Sequence, residues 1–171
     1  ALIAISILVG FANPSMADDR AGTAHAAARI ITIPAKPAPI EINLAQTAVL
    51  VIDMQNDFGS KGGMFDRAGI DISQIQQAVP PTAKVLTDAR AAGVPIIYLK
   101  MGYQPDLSDL GPNDSPNNAR HMRLHVGEAN VAPDGTKGRI LVRDTWDTEI
   151  VSALAPKPDD IQIYKTRFSG F

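Results

Sequence analysis

The chain has 171 residues, 45% of them hydrophobic, which is enough for one domain with a substantial core. A net charge of -2, sixteen scattered Lys and Arg residues and 5% aromatics supply neither the basic face nor the stacking platform of a nucleic-acid-binding protein. With no cysteine present, disulfides, thiolate-bound zinc and a thiol nucleophile are excluded within these residues.

The chain opens on ALIAISILVGFA, an apolar run too short for a membrane span of about 20 residues. It has the length of an export-signal core, and Ser15-Met16-Ala17 supplies a small-x-small cleavage pattern. Residues 1–17 are therefore expected to be a signal peptide, which implies a periplasmic or secreted protein, with a cytoplasmic location as the alternative. No basic leader precedes the run and the first residue is Ala, so the start reads as clipped. Residues 18–46 mix Ala, Pro and charge without a sustained period. Pro34, Pro37 and Pro39 favour extended backbone, and this stretch is expected to be a linker.

Domain character begins at Thr47 and is expected to run to Phe171. TAVLVIDMQ is continuously apolar up to Asp53, the pattern of a strand covered on both faces in a parallel sheet. After the glycine-bearing loop NDFGSKGGMFDRAGID, Val79, Ala83, Leu86 and Ala89 fall at helical spacing. Pro80 and Pro81 are tolerated best in a first turn, which predicts a helix starting close to them. Gly93 stands where a helix C-terminus uses glycine, and VPIIYLK follows as a second strand. The three pieces form a β-α-β unit with parallel strands.

Residues 101–138, with five glycines and four prolines, form a long polar excursion of the kind that serves as a lid or substrate cradle. WDTEIVSALAP reads as a short helix with Asp147 at its first turn, and DIQIYK as a third strand. The fold class is α/β, a doubly wound parallel sheet that is unfinished at its C-terminal side.

Ligands of open parallel sheets bind beyond the carboxyl ends of the strands. Asp53 and Lys165 stand at two such ends, and parallel strands deliver both to one edge of the sheet. An acid and an amine brought together there shift each other's pKa and can serve a nucleophile; a structural ion pair is the alternative. Other chemistry has less support. His121 and His125 are four apart and would share a helical face, but no third metal ligand accompanies them. GSKGGMF lacks the Gly-Lys-Ser/Thr ending of a phosphate loop, and no Gly-x-Ser-x-Gly elbow is present. Trp146 can line a pocket or pack on the sheet.

AVLVIDMQNDF, AAGVPIIYLK and IYKTRFSGF, in that order, resemble the isochorismatase-like cysteine hydrolases. GGMFDRAGIDIS, GYQPDLSDLGPNDSPN and the Trp146-Asp147 step resemble its ureidoacrylate amidohydrolase branch. The resemblance covers about Ile40 to Phe171. It implies a Rossmann-like α/β/α sandwich and an Asp-Lys-Cys triad that hydrolyses a C–N bond of a small amide or ureide. Asp53 and Lys165 match the family's Asp and Lys, while its Cys would lie past the third strand, so the chain is expected to be a truncated and inactive piece. Phe58 and Asn117 are the candidate substrate contacts. The scheme requires no metal or organic cofactor, and the Asp-x-His pattern of metal-binding nicotinamidase relatives is not found. Vinyl-ether hydrolysis and a non-catalytic binding role on the same fold stay open, as does homo-oligomerisation.

Overall fold

The structure is a computed structural model that describes residues 29–171. The expected signal peptide and the first part of the expected linker lie outside these residues. Three parallel strands form the central sheet: β3 (Val49–Ile52), β4 (Ile96–Met101) and β7 (Ile161–Lys165), in the order β3-β4-β7. Val49 is in register with Ile96, Ile52 with Leu99 and Met101 with Lys165. The register brings the residues that follow β3 level with the end of β7. That is the edge at which the sequence places chemistry.

The expected linker is partly structured. β1 (Ile30–Ile33) and β2 (Ile40–Asn43) pair antiparallel, and a 3-10 turn follows at Leu44–Gln46. Arg29 ties this ribbon to the sheet domain by donating from Nη1 to the carbonyl of Ala92, 2.6 Å away. The Ile-rich alternation of IITI and IEIN is the local signal for these strands, and the prolines sit between them rather than within them.

The long helix α3 (Ser73–Ala91) connects β3 to β4 after two short helices, α1 (Asn56–Gly59) and α2 (Met64–Arg67). It starts well before the point its prolines predict. Pro80 and Pro81 lie in its interior, on the solvent side, where water can satisfy the carbonyls that their missing N–H groups leave free. The opposite stripe of α3, with Leu86 and Ala89, packs on Val51, Ile96 and Tyr98 and on Leu154 to form the main core. Gly93, at φ 67°, ends the helix in the left-handed region as its position predicts.

WDTEIVSALAP forms no continuous helix. It makes two 3-10 turns, Trp146–Thr148 and Ser152–Leu154, separated by an extended segment that bonds back to the chain after β3. Asn56 donates to Glu149 O at 2.8 Å and Val151 to Met54 O at 3.0 Å. These non-local bonds outcompete helix formation because they cap strand-end groups that would otherwise be buried without partners.

The excursion after β4 folds rather than hanging loose. It contains α4 (Pro116–Met122) and the hairpin of β5 (Ala129–Val131) with β6 (Lys137–Arg139). Tyr103, Leu110, Val126, Ile140 and Leu141 join Met64 and Met101 in a second core above the carboxyl edge of the sheet. One wall of a cavity is thereby built from residues far from the strands.

Candidate active site

The chain turns sharply after β3. Asp53 adopts φ 57°, a conformation costly for a residue with a β-carbon, and its N–H remains bonded to Leu99 O at 3.0 Å. Gln55 fixes the turn from behind. Its side-chain amide mimics a strand rung, accepting from Met101 N–H at 2.6 Å and donating to Met101 O at 2.7 Å. Gln55 is completely buried, so the Asp53 segment is clamped to the end of β4 by a bond that water cannot compete for.

This clamp sets Asp53 against the end of β7. Lys165 Nζ lies 3.0 Å from Asp53 Oδ2, and its side chain is only 6% exposed against 34% for Asp53. The ammonium also donates to the carbonyls of Arg167 (3.2 Å) and Phe168 (3.3 Å). Three oxygen partners around a buried amine satisfy its charge. Asp53 is less complete, because its Oδ1 is shielded from solvent and has no hydrogen-bond partner among the described residues. Burial raises the Asp53 pKa above the usual carboxylate range, with the charge and hydrogen bond of Lys165 opposing it.

Asp53 lines a cavity of about 630 Å³ whose wall is otherwise largely apolar. Phe58 is on that wall, where it meets Phe65 edge-on at 5.0 Å between centroids. Asn117 is not. It sits behind the wall, donating to Tyr103 Oη at 3.1 Å and to Leu110 O at 2.8 Å, while Tyr103 Oη donates to Thr166 O at 3.2 Å. The structure thus places Asp53 and Phe58 on the cavity wall, with Lys165 behind Asp53, whereas Asn117, expected as a substrate contact, lies one layer back as a brace between α4 and the turn after Lys165.

The two histidines separate. His121 is buried on α4 with Nδ1 2.7 Å from Asn117 O, and it stacks on Phe168 at 5.4 Å. Burial lowers its pKa, so the neutral ring is favoured, with Nδ1 as the donor to that carbonyl. His125 lies beyond the helix, exposed and 2.9 Å from Glu128. Among the described residues, no group of three or more His, Cys, Asp or Glu side chains is placed to hold a metal.

His121, Arg120 and Phe168 line the cavity, and sequence reasoning did not place them there. A signal was present: Ser115-Pro116 is a helix start, Ser115 Oγ accepting from Asn118 N–H at 3.1 Å with Pro116 in the first turn. Reading that helix would have put the pair near its C-terminal end.

A second acid site adjoins the first. Asp57 accepts from Met64 N–H (2.9 Å) and Leu141 N–H (2.7 Å), and Asp147 accepts from Asn130 Nδ2 (2.6 Å). Both are fully buried. Desolvation and the charge of Asp147 push the Asp57 pKa up to about 8. Asp147 is thus an interior partner rather than an acid at the start of a helix.

An open parallel sheet with an acid–lysine pair at its carboxyl edge, beside a largely apolar cavity, is an α/β architecture with a pocket at the edge where such sheets bind ligands. Residues 47–171 match the isochorismatase domain, and the chain belongs to that family. It is 41% identical over 141 residues to the ureidoacrylate amidohydrolase RutB of Agrobacterium fabrum, which covers 82% of this chain and 60% of the relative. The RutB of Caulobacter segnis is 40% identical over 141 residues, covering 82% and 58%. Among solved structures, a cysteine hydrolase from Pseudomonas syringae pv. phaseolicola 1448A is similar with a TM-score of 0.54 and 33% identity, over 72% of this chain and 48% of that one. The chain spans about 60% of the length of the curated relatives it matches.

Proposed function

We propose that the protein is a hydrolase of small-molecule amide or ureido C–N bonds, in which Asp53 and Lys165 serve a cysteine supplied from outside these 171 residues. The observation that carries the reading is the state of Asp53. One oxygen is held by Lys165, while the other is shielded from solvent and has no hydrogen-bond partner among the described residues, on a side chain that lines the cavity. A carboxylate so placed has an acceptor oxygen not committed to Lys165, and its raised pKa makes it a stronger acceptor of a thiol proton than an ordinary carboxylate. Similarity to the amidohydrolases and to the cysteine hydrolase supports the choice of bond and nucleophile.

The chemistry balances. The thiol proton passes to Asp53 as sulfur bonds to the carbonyl carbon, and Lys165 supports the charge that develops on the pair. The C–N bond breaks as Asp53 returns the proton to the departing nitrogen. Water then adds to the thioester carbonyl, giving one proton to Asp53 on the way to the restored thiol. Phe58 would contact the acyl or amine portion, and Asn117 would act through Tyr103 by steadying the turn that follows Lys165.

The test is to express the whole reading frame and assay it on simple ureides and amides with alkylation by iodoacetamide in parallel. Turnover abolished by stoichiometric alkylation of one cysteine is expected. A whole protein without cysteine, or one whose turnover survives complete alkylation, would overturn the proposal. Residues 1–171 expressed alone are expected to be inactive and poorly soluble, since the free edge of β3 and exposed Ile161, Ile163 and Phe171 would be left uncovered. The expected export is a separate proposal. N-terminal sequencing of the whole protein checks it, a start at Asp18 supporting it and an intact leader on cytoplasmic protein overturning it.

A further inference from the structure

His121 lines the cavity of Asp53 and takes no part in the acid–lysine scheme. Its side chain belongs to a residue only 3% exposed, on a wall that is otherwise largely apolar. A polar ring buried this deeply needs a partner at each nitrogen. Nδ1 has one in the carbonyl of Asn117 at 2.7 Å, whereas Nε2 has none among the described residues.

The surroundings fix both the tautomer and the direction of the ring. A carbonyl can only accept, so in the neutral ring Nδ1 carries the proton and Nε2 the lone pair. Asn117 stands four residues back on α4, so this bond holds the near edge of the ring against its own helix. Phe168 stacks on one ring face, with 5.4 Å between centroids and 16° between planes, and Tyr103 meets the ring at 5.4 Å and 72°. The distal edge, which carries Nε2, is the part left for the cavity. Burial lowers the His121 pKa, and the charges of Arg120, Arg167 and Lys165 act in the same direction against the opposing bond to Asn117. The ring is therefore a fixed acceptor rather than a proton carrier at neutral pH.

We infer that His121 is a specificity-determining residue of the cavity, its Nε2 accepting an N–H from the ligand. The site then favours amides and ureides with a free N–H over molecules of the same shape that lack one, because these leave a buried acceptor unpaired. The inference rests on the hydrolase reading for the identity of the ligand, but the recognition is a binding property and is tested apart from it.

The experiment uses the whole protein and two probes of one shape, N-methylbutanamide and methyl butanoate, which differ in carrying N–H or O beside the carbonyl. The ester is intrinsically the more reactive, so the readout is the change in the amide-to-ester ratio of kcat/KM on substitution. His121→Phe keeps a ring against Phe168 and removes the acceptor. It should lower the ratio about 10- to 100-fold, the range for a hydrogen bond whose loss leaves a buried group unpaired. His121→Gln brings an acceptor oxygen back to the distal end and should restore part of the ratio. An unchanged ratio overturns the inference even where both rates fall, since packing damage acts on both probes alike. The wild type supplies a second test that needs neither variant nor turnover. With histidine labelled by 15N, the His121 Nε2 signal should be that of an unprotonated ring nitrogen and should shift with N-methylbutanamide but not with methyl butanoate. A protonated Nε2, or an equal response to the two probes, overturns the inference. A wild type that cleaves neither probe removes support from the hydrolase reading, and the NMR comparison then decides the subsite by itself.

Discussion

Two aspartates four positions apart, Asp53 and Asp57, occupy opposite electrostatic worlds. Asp53 faces a buried ammonium and a cavity, whereas Asp57 faces a second carboxyl and sealed protein. Both pKa values are raised by burial, but Lys165 opposes the effect at the first site and Asp147 reinforces it at the second. The same side chain is thereby prepared for proton exchange with a ligand in one place and for holding a proton inside the fold in the other. Partner and access make the difference.

The comparison breaks most decisively at Asp53. Asp53→Asn removes the proton acceptor and should lower kcat of the whole protein by about 10²–10⁴-fold, with circular dichroism unchanged. An active variant would deny Asp53 its distinct role. Lys165→Met comes next. It deletes the group that favours the Asp53 anion, so Asp53 holds its proton to higher pH, and the acidic limb of the pH–rate profile should move upward. Activity at neutral pH should fall by about 10- to 100-fold, as for the loss of a charge-assisted bond. A profile that does not move would reduce the pair to a structural ion bridge.

At the sealed site the readout is stability. A β-carbon added at Gly138 would overlap Asp147 Oδ2. Gly138→Ala should therefore cost about 1–3 kcal/mol in urea unfolding, with little change in kcat. The other readout is one of pH. The folded state keeps a proton on Asp57 up to about 8, while the unfolded chain releases it near 3.8. The stability this proton linkage contributes is complete below 3.8 and is lost as pH rises through about 8. Asp147→Asn removes the repelling charge and brings the Asp57 pKa down, so the decline in urea midpoint between pH 4 and 8 should flatten. An unaltered slope would show that the two carboxyls do not communicate.

Local pattern reveals one of these sites and hides the other. Asp53 and Lys165 end apolar runs of strand character, and parallel pairing forces such ends together, so their meeting was legible before any coordinates. The Asp57–Asp147 contact has no such signature. It depends on how α1 and the Trp146–Thr148 turn settle around the hairpin, and Asp147 in isolation reads as an acid beginning a helix. Asn117 shows the same limit: expected as a substrate contact, it falls behind Tyr103 rather than on the cavity wall. Pro80 and Pro81 mark a further one. A local rule put the start of α3 beside them, yet burial of Ile75 and Leu86 along a single stripe outweighed the cost of two exposed interior prolines.

The sequence by itself determined the three parallel strands, the acid and the amine at their ends, and the edge at which they meet. Each follows from short-range apolar periodicity and from the fact that a parallel sheet aligns its carboxyl ends. Only the tertiary structure decided the Gln55 clamp, the cavity wall with Arg120, His121 and Phe168, and the burial of Asp57 beside Asp147. Those arise where segments distant in sequence pack together, and there desolvation and chance of partner, neither visible in a local pattern, fix what a side chain does.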